Sequence, residues 1–316
     1  MKKLPLIAAF GLIYSSSMVN AATIYDNKGL TYTIKGDIQV QLLKKHGKDK
    51  DVDVNYDDAE LKNTISYDIG NGNKAFAQVD YDFKKEKSEE TYVGLKLGNT
   101  KIWMGDTDYV TDAFGIEKNI DVVDIDGDSF AQDGGDDLIG LEFKAGSATI
   151  AFSHDIQVGD EDLKDDDDNV IGTASEESSL DIFVSVPLGP VDLGLAYQDH
   201  EAEGIATDTF GVSGEVKVAG INLGLAFSSS DSDSSKLDKD NISLAVTFPV
   251  ASTTKASVGY DIVDYTSDSI TDIDTWYANV VYKFPTAKKV SAFAEIANTD
   301  EDDSDVGYLL GMRVKF

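Results

Sequence analysis

The chain has 316 residues, no cysteine, and 58 acidic against 27 basic side chains, for a formal charge of −31. That balance argues against a nucleic-acid surface, since phosphates repel it, and it sets up a field that gathers cations. Without disulfides an exported chain needs another source of rigidity, and a large closed sheet supplies one.

In chain order, the first element is not part of the fold. Lys2 and Lys3 precede an apolar stretch over residues 4–14, and the small, polar residues after it end in Val19-Asn20-Ala21. This is the layout of a secretory signal cleaved after residue 21. Its apolar stretch is too short for a membrane-spanning helix, which takes roughly 20 residues. The mature chain, 22–316, is expected to be one domain with 25 basic and 58 acidic side chains. It has no cysteine to carry a lipid anchor.

From there on the pattern is alternation. Across Tyr32-Thr33-Ile34-Lys35-Gly36-Asp37-Ile38-Gln39-Val40-Gln41-Leu42 the even positions are apolar or glycine and the odd ones polar. Side chains two apart share one face of a strand, so one face is greasy and the other wet. The same reading places strands over 32–42, 59–69, 75–83, 91–97, 101–107, 137–143, 148–156 and 180–186. It continues over 191–198, 207–218, 221–227, 242–248, 254–262, 276–284, 290–296 and 307–316. These make 16 strands, an even number that suits a single-chain bacterial barrel.

The connections alternate in length. Short turns contain Asn71-Gly72-Asn73, Asn99-Thr100, Ala145-Gly146-Ser147, Gly189-Pro190, Ala219-Gly220, Ser252-Thr253 and Thr286-Ala287, several with the residues tight hairpins prefer. Long polar loops cover 158–179 and 228–241. Short turns on one rim and long loops on the other is the outer-membrane arrangement. A soluble β-sandwich also alternates. Here, however, every strand has an apolar face, and Tyr81, Phe83, Trp276, Tyr282, Phe284, Tyr308 and Phe316 stand near strand ends on the outward faces. That resembles the aromatic girdles of lipid-facing barrels.

In the last strand Tyr308, Leu310, Met312, Val314 and Phe316 share one face, and Phe316 ends the sequence. This resembles the terminal signal by which the barrel-insertion machinery recognises outer-membrane barrels.

Three stretches resemble the Gram-negative general porins. They are Ala22-Thr23-Ile24-Tyr25-Asp26-Asn27-Lys28-Gly29, with Gly36 following; Ala75-Phe76-Ala77-Gln78-Val79-Asp80-Tyr81-Asp82-Phe83; and Tyr92-Val93-Gly94-Leu95-Lys96-Leu97 with Gly105-Asp106-Thr107-Asp108-Tyr109-Val110-Thr111-Asp112-Ala113-Phe114-Gly115. The resemblance implies an all-β, 16-stranded antiparallel transmembrane barrel with an inward-folded third loop. It also implies a homotrimer in outer-membrane lipid and lipopolysaccharide. The loop would be about 108–135. Its Phe114, Ile116, Ile120, Val122, Val123, Ile125 and Phe130 are too apolar for a solvated loop, and they are expected to pack on an inner wall holding Ile102 and Met104. The family's Pro-Glu-Phe-Gly-Gly loop tip is absent.

General porins set a ladder of basic side chains opposite an acidic third loop. Here the family's basic positions fall on Asp37, Glu60, Asp106 and Asp136, all expected to point inward. The mature chain has one arginine, Arg313, so an arginine ladder is impossible. Lys35, Lys62 and Lys96 are expected to face the lumen and supply part of the positive side. Asp121, Asp124, Asp126 and Asp128 stand on the loop side. Rings of carboxylates concentrate cations, so the expectation is a cation-selective, water-filled channel for ions and small hydrophilic solutes.

Weaker signals add no chemistry. Acidic runs at 160–162 and 165–168 fit a solvated loop or loose Ca²⁺ or Mg²⁺ binding. Asp124, Asp126 and Asp128 have EF-hand spacing, but Ser129 and Gly135 stand where its Gly and Glu belong. The three histidines, His46, His154 and His200, have no nucleophile or paired acid at a suggestive spacing, so an enzyme is not expected, nor a cofactor or resident metal. Two alternatives remain: a sugar- or oligosaccharide-selective channel with an aromatic slide over Tyr92, Phe183, Tyr277 and Phe293, or a non-conducting structural or adhesive barrel.

Overall fold

The computed structural model describes residues 21–123, 130, 134–156, 162–164, 170–173, 177–202, 204–234, 238–301 and 304–316. The expected signal, except for Ala21, and the loop acids Asp124, Asp126 and Asp128 lie outside them, as does most of the acidic stretch at 160–168.

Almost everything described is strand. In chain order these are β1 Ala22–Asn27, β2 Leu30–Lys44, β3 Asp53–Gly70, β4 Asn73–Asp82, β5 Lys87–Leu97, β6 Thr100–Asp108, β7 Gly134–Ala145, β8 Ala148–Asp155, β9 Asp162–Lys164 and β10 Val170–Thr173. There follow β11 Glu177–Leu188, β12 Val191–Ala202, β13 Ile205–Val218, β14 Ile221–Ser232, β15 Lys239–Ala251, β16 Thr254–Tyr265, β17 Ile273–Phe284, β18 Ala287–Thr299 and β19 Gly307–Lys315. Neighbours pair antiparallel from β2 to β8 and from β11 to β19. The β8–β11 and β19–β2 pairings close the ring at 16 strands. Every strand of the sequence reading falls on one strand of this ring, and most ring strands are longer. The difference is clearest at 228–241, expected as a loop, where β14 and β15 occupy all but the middle. The stretch 158–179, also expected as a loop, carries the small β9–β10 hairpin.

Local chemistry sets the turns. Asn71 and Gly72 both have positive φ, 57° and 78°, the pairing a type I′ hairpin needs. Along the strands, the polar member of each alternating pair points into the lumen and the apolar member points out. Leu310 and Met312 remain 61% and 52% exposed, an outward apolar band suited to hydrocarbon rather than water.

β1 is an addition to the ring that alternation did not reveal. It pairs with the first part of β2, Ala22 opposite Ile34 to Asn27 opposite Leu30. β19 pairs with the later part, Lys315 opposite Asp37 to Tyr308 opposite Lys44. β1 therefore continues the line of β19 along one edge of β2. At the joint, Gly36 and Phe316 exchange backbone hydrogen bonds of 3.1 and 3.0 Å.

The alternation changes phase at three places facing one side of the lumen. Opposite Gln39 of β2 stand both Asp57 and Asp58 of β3, a bulge. Glu89 is an extra residue of β5 between the pairs Asp80–Glu90 and Tyr81–Ser88. The third break is at Gly105 of β6, whose φ is 129° and where a Cβ would lie 2.3 Å from the Thr91 carbonyl oxygen. Below it Lys101 and Trp103 point inward; above it Asp106 and Asp108 line the lumen. This break corrects the placing of Ile102 and Met104. They are exposed on the lipid face, because a phase read downward from Asp106 is shifted by one residue at Gly105.

Candidate functional site: a charged lane inside the barrel

The third loop lies inside the barrel, beginning with a short 3-10 turn at Val110–Ala113. At that end Tyr109 donates to Asp155 at 2.8 Å, Thr111 to Asp181 at 2.7 Å, and the Val110 N–H to Ser153 at 3.0 Å. Burial, with Asp155 beside it, pushes the Tyr109 phenol far above its ordinary range, so it donates as a neutral hydroxyl. Further on, Glu295 of β18 accepts the N–H groups of Ile120, Asp121 and Val122 at 2.5, 3.0 and 3.1 Å. Asn279 steadies Glu295 at 3.1 Å and holds the Lys118 carbonyl at 2.5 Å. One carboxylate thus satisfies three backbone donors that would otherwise be buried unpaired.

Packing explains why the loop follows this path. The inner faces of β12 to β15 carry small residues, Ala196, Gly211, Gly224, Ala226 and Ala245, which leave a groove. Phe114 seats on Gly211 and Ile116 on Gly224; a Cβ at either glycine would fall 2.6 or 2.9 Å from those side chains. Tyr109, Val110, Phe114 and Ile116 form one buried cluster with Trp103 and Phe183, while Val122 and Val123 form another with Leu43, Tyr277 and Phe293. The inward aromatics Phe183, Tyr277 and Phe293 are thereby covered by the loop, with Tyr92 packed at the edge of the first cluster. Sequence reasoning found the loop and, apart from Ile125, which lies outside the described residues, its apolar residues, but missed its seat. The signal was there, in small residues at inward positions of four successive strands.

The loop leaves open a lane against β2 to β6. Its cavity is about 850 Å³, lined by fifteen carboxylates and nine lysine or arginine side chains. Of the residues singled out from sequence, Asp37, Glu60, Asp106, Asp136, Asp121, Lys35, Lys62 and Arg313 all border it. Lys96 does not: β5 places it opposite Lys101, near the short-turn rim and away from the constriction. Its parity is inward, but its position along the strand is too low.

The sheet register stacks the lane's charges in rows. Lys315, Asp37, Glu60 and Asp82 lie side by side on β19, β2, β3 and β4. The next row holds Lys35, Lys62, Asp80 and Glu90. Ion pairs cross them. Arg313 contacts Asp37 and also Asp58, the latter at 2.7 Å, while Lys315 reaches Asp37 at 3.2 Å. Lys62 lies 2.9 Å from both Asp80 and Glu90. Lys85 contacts Glu89 and, at 3.5 Å, Asp82. Burial opposes the Lys85 charge, but these two acids outweigh it and hold the ammonium above its ordinary range. Asp121 takes Gln41 at 2.5 Å and Lys45 at 3.8 Å, joining the loop to β2. Several carboxylate oxygens stay unmatched, including Oδ1 of Asp37 and of Asp80. Asp57, Asp58, Asp82, Glu89 and Glu90 were not foreseen. The doublets Asp57-Asp58 and Glu89-Glu90 were the clue, since strict alternation would put one acid of each into lipid, where a charge is destabilising.

A profile of the Gram-negative porin family matches residues 7–304. The porin-like protein H of Photobacterium profundum is 27% identical over 98% of this chain and 99% of its own. Among solved structures, OmpT of Vibrio cholerae superposes with a TM-score of 0.78 at 16% identity, covering 94% of this chain and 100% of its own; another OmpT structure is described as its trimer form. An anion-selective porin from Comamonas acidovorans gives 0.68 at 15% identity over 91% of this chain and 100% of its own. The chain belongs to the Gram-negative porin family, and its barrel is an outer-membrane channel.

Proposed function

We propose that the channel is a water-filled, cation-selective pore for passive diffusion of ions and small hydrophilic solutes. The observation that carries this is the lane lining, where carboxylates outnumber cationic side chains fifteen to nine. Arg313, Lys62 and Lys85 are each shared between two carboxylates, so these three cations add little positive field to attract anions. In a narrow passage such fixed charge is weakly screened. The likeness to an anion-selective porin is one of fold, at 15% identity, and the sign of selectivity follows from the side chains that line a pore rather than from the barrel.

The proposal includes removal of residues 1–21 on export, leaving 22–316 as the barrel. It includes insertion guided by Tyr308, Leu310, Met312, Val314 and Phe316, outer-membrane lipid and lipopolysaccharide around the belt, and a homotrimer like the trimer form described for OmpT. The sugar-selective alternative is disfavoured because the inward aromatics that would form a slide are buried under the third loop. A plugged barrel is disfavoured by the open lane. Single-channel recording in planar bilayers separates the three. Large steps indifferent to sugar are expected; sugar-blockable steps or silence would contradict the proposal.

A further inference from the structure

On the side of the lane, the inner wall of the barrel carries opposite charge toward its two rims. Along β4 the inward side chains pass from Asp80 through Phe76 to Lys74. Along β5 they pass from Glu90 through Tyr92 to Lys96. On β6 Trp103 is followed by Lys101 toward the same rim. Lys74 stands opposite Lys96, and Lys96 opposite Lys101. Like charges facing each other across strands are destabilising, so folding alone does not favour this row. Lys101 is held over the rings of Trp103, Phe76 and Tyr92, with centroids 4.5, 5.3 and 5.4 Å away. Asp68 and Glu142 flank the row without neutralising it, and Glu142 is shared with Lys144 at 3.7 Å. A neutral, aromatic middle therefore separates a carboxylate zone toward the long loops from an ammonium zone at the short turns. In outer-membrane barrels the long loops face outside and the short turns the periplasm.

We propose that this bipolar wall rectifies the ionic current, passing more when the outside is positive; the inference rests on the reading of the barrel as a water-filled channel. Fixed carboxylates hold mobile cations and fixed ammonium groups hold mobile anions. An outside-positive field drives cations inward from the acidic zone and anions outward from the basic zone. Both converge on the neutral middle, fill it with carriers and raise conductance. The opposite field empties it.

The test is the current at matched positive and negative voltages, with protein added to one side of a planar bilayer and orientation read from protease cleavage of the long loops. In 0.1 M KCl, where the screening length is about 10 Å, the outside-positive current should exceed the outside-negative one by about 1.5-fold or more. In 1 M KCl, with screening near about 3 Å, the ratio should approach one. The double variant K74Q/K96Q, altering two exposed side chains, should conduct with the asymmetry reduced. Equal currents at low salt, the opposite asymmetry, or an unchanged ratio in K74Q/K96Q would overturn the inference and leave the channel reading standing. Folded protein that carries no current would remove the channel reading itself.

Discussion

Arg313 on the last strand donates from Nε to Asp37 on β2 at 2.5 Å, across the seam where the barrel closes. The same guanidinium reaches Asp58 on β3 at 2.7 Å, so one side chain ties three strands and balances two lane carboxylates. Replacing it with methionine would leave Asp58 buried without its cation and Asp37 with Lys315 alone. A loss of about 3 kcal/mol in barrel stability is expected, at the low end for a broken buried pair because the arginine is partly solvated. Cation preference should rise in the same variant. Urea unfolding and reversal potentials measure the two effects, and a stable variant with unchanged selectivity would refute this reading of the pair.

The Phe316 ring lies over Gly36, where a Cβ would fall 2.1 Å from the ring. The variant G36A should therefore displace the terminal ring and lower the yield of heat-modifiable barrel on gels. Combining it with F316A should cost less than the sum of the single changes, because the two residues share one contact. Additive losses would show that the contact is incidental.

Loop position should respond to Glu295. Removing its carboxylate in E295A strands three backbone N–H groups, a loss on the order of 3 kcal/mol in anchoring. Larger or noisier single-channel steps are the expected result. G224L should act likewise by filling the seat of Ile116. Both variants giving wild-type steps would mean that packing elsewhere fixes the loop.

The lane acids of β3 and β5 make a sharper case for selectivity. The triple variant D57N/E60Q/E89Q should lower the cation-to-anion permeability ratio several-fold, whereas D231N on the exposed long-loop rim should leave it almost unchanged. Equal effects of the two would assign selectivity to overall charge instead of the lane.

Strand number, strand order along the chain and loop entry were legible because outward lipid contact enforces strict alternation, and each of the ring strands carries that signal. What escaped sequence reading lies where alternation breaks. Gly105 inverted the assignment of Ile102 and Met104. The doublets at Asp57-Asp58 and Glu89-Glu90 hid lumenal acids, since a period of two cannot place consecutive residues on one face. Lys96 was assigned the correct face but the wrong height, because parity carries no information about depth along the axis. β1 was missed because its six residues are too few to show a period, and only pairing with β2 reveals it.

The central claim is that carboxylates replace the basic wall and set the sign of the current. The reversal potential across a KCl gradient, at low ionic strength on the dilute side, tests it most directly. Cation permeation should dominate, with the dilute side becoming positive at zero current. A zero-current potential of the opposite sign would contradict the account.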